Sequence, residues 1–395
     1  MRVLAVIESL GQGGAEHSLV AVAPLLAGHG VDLEVLCGEV RDDDLRDALV
    51  AAGVPVHAAG TTGLRAMCSA VRARIASGSY ELVHATLFVP VVASGVAAVG
   101  TRVPVLASLV NTAAVAARLD PRVPGWKLRA AHVVETASLH LLVDRVHAVT
   151  PGVARSARRH HLLPTGKVAV VERGRDGARF RAASPAERIA VRHELAVPEG
   201  VPLLLAVGRH EHQKGYDVLL DAFGRHQRSG GQGVLVVAGR TGTATADIEA
   251  EVARLPDPSR VRIVGNRADM PALYGAADLF VLSSWREGAA GAAVEAMACR
   301  VPMVVTDVDG LRGVVADDVS ALVVPRGDAV AMAGAVRRLL DDAPTRARLA
   351  AAAAEVFEAR FTLDRAAAGL AALYLDVGGR RRPARRAIAR TVRRA

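Results

Sequence analysis

At 395 residues the chain is too long for a single hydrophobic core and suits two domains. Hydrophobic residues make up 51% and aromatics only 3%, so the cores must be aliphatic; the three cysteines (Cys37, Cys68 and Cys299) are scattered without a CxxC pair, which excludes a disulfide scaffold and argues for a reducing compartment. Net charge is +9, but eight arginines and no acid fall in the last sixteen residues and the remainder is near neutral, which excludes a basic nucleic-acid-binding face on the body.

The first run, RVLAVIES, predicts a buried strand. A signal peptide does not fit, because the apolar run is short, turns Gly-rich at LGQGG and then meets Glu16. AEHSLVAVAPLLAGHG has helical spacing and ends at Gly30. DLEVLCG, ELVHAT, VPVLASLV, RVHAVT and KVAVVERG are further strands. Between two of them, the uncharged run from Ala85 to Thr101 carries Pro90 and falls short of the roughly 20 residues that a membrane span needs, so it predicts a buried helix. Alternating short strands and helices imply parallel sheets covered on both faces, an α/β fold.

A polar stretch from Arg173 to Gly200, punctuated by Pro and Gly, has the composition of an interdomain connection. The pattern then restarts with PLLLAVGR, GYDVLLDAFGRH, GVLVVAG, IEAEVARL, VRIVG, MPALYGAA, LFVLSS, VPMVVTD and SALVVP. An Ala- and Leu-rich helical stretch, broken near Pro344, closes the chain before the arginine-rich tail. The expected domains are 1–175 and 198–358, with a helix at about 360–377 that packs back on the first, and a basic tail at 378–395.

Chemistry concentrates in SWREGAAGAAVEAMA. Glu287 follows a strand end, where open α/β sheets bind ligands. Gly288, Ala289, Ala290 and Gly291 carry almost no side chain and let backbone amides approach a ligand. A helix starting near Gly291 or Ala292, with Glu295 in its first turn, would point its dipole at an anion. Two carboxylates flanking such a loop suit two sets of sugar hydroxyls. Spacing alone fits equally well a solvated loop acid and a helix-start acid. Arg209 follows a strand end and Lys214 precedes a helix, so both cations fit a leaving diphosphate or an ordinary surface loop. Gly13 and Gly14 fit a phosphate-binding turn or a plain tight turn.

These residues resemble the retaining glycosyltransferases of family 4. The E-x7-E motif with Glu287, Gly288, Glu295, Ala296, Met297, Ala298 and Pro302 carries the likeness, as do VGRHEHQKGYDVLLDAF, VRIVGNRADMPALYGAADLFVLSS and GQGGAEHSL. The resemblance spans nearly the whole chain and is strongest over 202–328. It implies the GT-B fold: two Rossmann-like parallel-sheet domains facing a cleft, the first binding the acceptor and the second a nucleotide sugar. It implies that Glu287 contacts the donor sugar, Glu295 holds the ribose, and Arg209 and Lys214 bind the diphosphate. Gly13, Gly14, Gly239, Asn266, Gly288, Ala289, Ala290 and Gly291 complete the donor side. No cofactor or metal is implied; the acidic triplet Asp42–Asp44 sits at a surface helix start. The donor base, UDP or GDP, stays open.

Asn111 departs from the family pattern. A His often stands at that position, and Asn cannot act as a general base. The implied alternative is that the departing phosphate takes the acceptor's proton. His17, His84 and His132 are read as structural, and Trp126 as packed on its own domain. The expected activity is transfer of a hexosyl unit to a polysaccharide, lipid-linked or small-molecule acceptor in the cytoplasm. The arginine-rich tail is read as contacting an anionic membrane surface, and no nucleic-acid partner is expected. The competing readings are a GT-B-fold epimerase or phosphorylase, and a non-catalytic sugar-nucleotide-binding protein.

Overall fold

The computed structural model describes residues 1–11, 13–111 and 125–379. The chain divides into two compact units, Met1–Gly174 with Leu363–Ala395, and Arg175–Thr362.

The first unit runs β1 (Arg2–Leu10), α1 (Gly14–Leu26), β2 (Asp32–Val40), α2 (Asp43–Ala51), β3 (Val56–Ala58), α3 (Leu64–Ser77), β4 (Leu82–Thr86), α4 (Phe88–Ala97), β5 (Val105–Leu109), α5 (Gly125–Leu141), β6 (Arg145–Ala148), α6 (Pro151–His160) and β7 (Val168–Val170). The strands form one parallel sheet in the order β3-β2-β1-β4-β5-β6-β7. β1 reads as a near-continuous apolar run because helices cover both faces of the sheet. Asp42 caps α2 by accepting from the Asp44 amide, so the acidic triplet is the start of a helix.

The second unit opens with α7 (Pro185–Glu194), started by a capping box between Ser184 and Glu187. The chain passes between the units at Gly174–Arg175, inside the polar stretch, and the rest of that stretch belongs to the second unit: its charged residues form a surface helix whose Val191 reaches the core. There follow β8 (Leu203–Val207), α8 (Tyr216–Arg228), β9 (Val234–Ala238), α9 (Thr245–Ala253), β10 (Val261–Gly265), α10 (Met270–Ala276), β11 (Leu279–Leu282), α11 (Gly291–Ala298), β12 (Met303–Thr306), β13 (Leu322–Val324), α12 (Ala329–Asp341) and α13 (Ala343–Arg360). The strands make a parallel sheet in the order β10-β9-β8-β11-β12-β13.

The chain then returns to the first unit as α14 (Leu363–Gly378). Ala367, Leu370, Ala371 and Tyr374 of this helix join the core formed by Val3, Ala5, Ile7 and Leu26. No helix among the described residues is long and apolar enough to cross a membrane. The arginine-rich tail, 380–395, lies outside the described residues. Trp126 is exposed rather than packed on its own domain: it is the second residue of α5, and the Lys127 ammonium lies 5.6 Å from its ring centre.

Candidate active site

In the second sheet the strand order reverses between β8 and β11. Loops leaving the carboxyl ends of these two strands turn opposite ways and open a crevice, the usual ligand site of an open α/β sheet. The loop after β8 is fastened to the loop after β11. Ser283 Oγ donates to the Lys214 carbonyl at 2.9 Å, and the Trp285 amide donates to the Gln213 carbonyl at 2.9 Å. Gly215 makes this possible: its φ is +65°, and a Cβ there would lie 2.2 Å from the Ser283 carbonyl oxygen.

The stitching delivers a cation to a carboxylate. Lys214 Nζ donates to Glu287 Oε1 at 2.7 Å, and Ser284 Oγ donates to the same oxygen at 2.7 Å. The two charged side chains keep 19% and 10% of their exposure, enough for a ligand to reach and little enough to hold them in place. Thr306 Oγ1, at the end of β12, donates to the Ser284 carbonyl at 2.7 Å and fixes the serine from below. Tyr216 donates to the Gly208 carbonyl at 2.7 Å; burial and the neighbouring Glu287 charge both raise its phenol above the ordinary range.

Gly288 and Ala289 lead to Ala290, which adopts φ +39° and precedes α11. No side chain among the described residues caps this helix, so its amino end presents backbone N–H groups and the positive end of its dipole to a ligand. Glu295 stands in the second turn, not the first, because the helix already begins at Gly291. There Arg175 Nε donates to Oε1 at 2.7 Å, and the Tyr274 hydroxyl lies 3.0 Å from Oε2. Burial, reinforced by the Glu295 charge, raises the Tyr274 phenol well above its ordinary range. Burial pushes the Cys299 thiol up to about 12, so this cysteine is no nucleophile.

The remaining candidates sit at varying remove. Arg209 follows Gly208 at the mouth of β8 with an exposed side chain, 3.7 Å from Glu211, and takes no part in the Lys214–Glu287 pair. Gly239 (φ +153°) ends β9 so close to the same turn that a Cβ would lie 1.9 Å from the Gly208 oxygen. Asn266 is exposed directly after β10, two strands from the crevice. In the first unit, the order reverses between β1 and β4, and Gly13 and Gly14 lie just past the end of β1, Gly14 opening α1. Asn111 is exposed, two residues beyond β5.

Sequence reasoning missed Arg175, Tyr274 and Ser284. It also missed a buried relay in the first unit. Tyr374 OH lies 2.7 Å from His84 Nδ1, His84 Nε2 lies 2.6 Å from Ser108 Oγ, and Ser108 Oγ lies 2.6 Å from His147 Nδ1. His147 Nε2 completes the chain at the Val171 carbonyl, 2.8 Å away. That carbonyl only accepts, so His147 Nε2 donates to it; burial keeps both imidazoles neutral, and the protons then run one way, from Tyr374 to His84 Nδ1, from His84 Nε2 to Ser108 and from Ser108 to His147 Nδ1.

Two family models match the chain: Glycosyltransferase Family 4 over residues 12–179 and Glycosyl transferases group 1 over 187–356. The D-inositol 3-phosphate glycosyltransferase of Kineococcus radiotolerans is 32% identical over 381 residues, covering 87% of this chain and 86% of that protein. The chain belongs to glycosyltransferase family 4. The alpha-D-kanosaminyltransferase of Streptomyces kanamyceticus is also 32% identical, over 58% of this chain; the match spans 65% of that relative's length, just under two thirds. The crystal structure of Anabaena HepE in complex with UDP-glucose superposes with a TM-score of 0.82, at 21% identity, over 95% of this chain and 99% of that one. The two Rossmann-like units are thus those of a GT-B glycosyltransferase, and the crevice between β8 and β11 lies in the unit matched by the group 1 model.

Proposed function

We propose that this family 4 member transfers a glycosyl unit from a nucleoside-diphosphate sugar to an acceptor hydroxyl and retains the donor's anomeric configuration. The observation that carries this reading is the Lys214–Glu287 pair, held at the switch point beside the uncapped amino end of α11. In it, Glu287 accepts from donor-sugar hydroxyls and Glu295 from the ribose, both as charge-assisted bonds. Lys214 and Arg209, with the amides after Ala290, neutralise the diphosphate as the sugar C1–oxygen bond breaks. The acceptor oxygen bonds to C1, and its proton passes to the departing phosphate oxygen, since Asn111 cannot take it. The cations and amides perform the neutralisation that a divalent ion would otherwise supply. The HepE complex with UDP-glucose supports a uridine-linked donor, and the named relatives support a hydroxylated small-molecule acceptor. The first unit is assigned the acceptor.

A thermal-shift panel of nucleotides and nucleotide sugars tests the assignment on the wild type, Glu287→Ala and Glu295→Ala. One nucleotide class should stabilise the wild type. Glu295→Ala should weaken the response to the bare nucleoside diphosphate, and Glu287→Ala chiefly the response to the sugar-bearing form. Equal responses of both variants to every ligand would overturn the roles.

A further inference from the structure

His132 and Glu135 lie three residues apart on α5 and so project from one face of the helix. His161, the residue that follows α6, meets them there. One donor atom from each of the three side chains falls within 4.8 Å of the other two. His161 Nε2 is 3.6 Å from Glu135 Oε2, and the two imidazole rings stand 4.8 Å apart at 30°. For a zinc ion with bonds of about 2.0–2.1 Å in a tetrahedron, donor atoms stand roughly 3.3 Å apart, so a small rotation of the half-buried His132 closes the set.

The surroundings favour ligation over a simple ion pair. Among the described residues Glu135 has no hydrogen-bond donor, and it faces His161 Nε2 across 3.6 Å. That carboxylate is largely withdrawn from water, where a lone acid is costly. On the far side of the His161 ring, Nδ1 lies 2.7 Å from Thr136 Oγ1. An Nδ1–H donated to that hydroxyl leaves the Nε2 lone pair facing Glu135 and His132, which is how outer hydrogen bonds orient metal-bound imidazoles. His140 Nε2, one turn further along α5, lies 2.7 Å from the His161 carbonyl and holds the residue's backbone in register.

We infer that His132, Glu135 and His161 form a binding site for a first-row divalent cation of the zinc class, with a fourth position open to water. The ion ties α5 to the end of α6 within the first unit. None of the three ligands is among the residues assigned to the proposed transfer.

Tag-free, full-length protein stripped with a chelator and titrated with Co²⁺, then with Zn²⁺, tests this. The expected result is one ion per chain by elemental analysis, a visible Co²⁺ absorption band that Zn²⁺ abolishes, and a melting temperature raised by Zn²⁺. His132→Ala, at a partly exposed position that folding tolerates, should remove the band and the stabilisation. Thr136→Val should weaken binding by about 10–100-fold while leaving the three ligands in place. Substoichiometric metal in the wild type, or equal Co²⁺ and Zn²⁺ affinity in His132→Ala, would overturn the inference.

Discussion

Lys214 Nζ and Glu287 Oε1 meet at 2.7 Å although 73 residues separate them in the chain. The pair exists because two loops diverge at one point in the sheet and are then sewn back together by Ser283, Trp285 and the backbone of Gly215. Lys214→Ala removes the cation best placed to meet a leaving diphosphate and, among the described residues, leaves Glu287 only the Ser284 hydroxyl as a hydrogen-bond donor. We expect kcat/KM to fall by about 10²–10³-fold, the range seen when one preorganised charge-stabilising group is lost. Steady-state kinetics with the donor class found by thermal shift measure it.

Tyr274→Phe tests how Glu295 is held. The substitution keeps the ring in the core but removes the hydroxyl beside Glu295 Oε2 and the Ala292 carbonyl. Stability should drop by roughly 1–2 kcal/mol, the usual cost of stranding buried acceptors. Calorimetric affinity for the bare nucleoside diphosphate should weaken, while the additional affinity conferred by the sugar stays unchanged.

The buried relay sets a lower pH limit. Burial lowers His147 to about 4 and drives His84 well below its ordinary value. The unfolded chain protonates both near 6.5, whereas the folded chain resists. Their contribution is therefore complete above about pH 6.5 and is lost as pH falls toward 4, by up to roughly 1.4 kcal/mol per pH unit for each imidazole. Glu34 adds a second loss below that. Burial alone would raise it, but hydrogen bonds from Tyr80, Arg2 and His57 outweigh this and hold it at about 2. Its contribution is present above about 4.5 and disappears between there and 2. Denaturant melts from pH 7.5 to 4 should show the first slope in the wild type and a shallower one in His147→Asn.

Two glycine substitutions should move stability in opposite directions. Gly239→Ala puts a methyl 1.9 Å from the Gly208 oxygen at a left-handed φ, so the β8 turn must shift. Destabilisation of at least about 2 kcal/mol is expected. Gly334 lies within α12 with nothing inside 4 Å of a Cβ, and Gly334→Ala should stabilise by about 0.5–1 kcal/mol. Urea unfolding of both variants measures the contrast.

Much of the frame was legible because apolar runs four to nine residues long, separated by Gly and Pro, specify covered parallel strands almost by themselves. Glu287 and Lys214 could be singled out from sequence because Glu287 follows a strand end, where such sheets bind, and Lys214 precedes a glycine and a helix. Arg175 was not, because it lies 120 residues from Glu295 and nothing in its own neighbourhood marks it as a partner. Tyr274 was hidden inside an apolar helix pattern, where a tyrosine reads as core. The stretch from Arg173 to Gly200 holds the passage between units only at its start; its charge and prolines hid a helix whose beginning the capping box at Ser184 marks. The His84–Ser108–His147 relay draws one residue from each of three adjacent strands, and only the strand order reveals that they are neighbours.

The first unit takes its last covering helix, α14, from sequence that follows the whole of the second. During synthesis the early sheet must therefore wait, with one apolar flank uncovered and the His84 ring lacking its phenolic partner, until residues near Tyr374 leave the ribosome. The intervening unit has no such dependence and can close on itself first. Vectorial production of this chain thus completes its middle before its beginning, and a nascent-chain protease assay would register the amino-terminal half as the late folder.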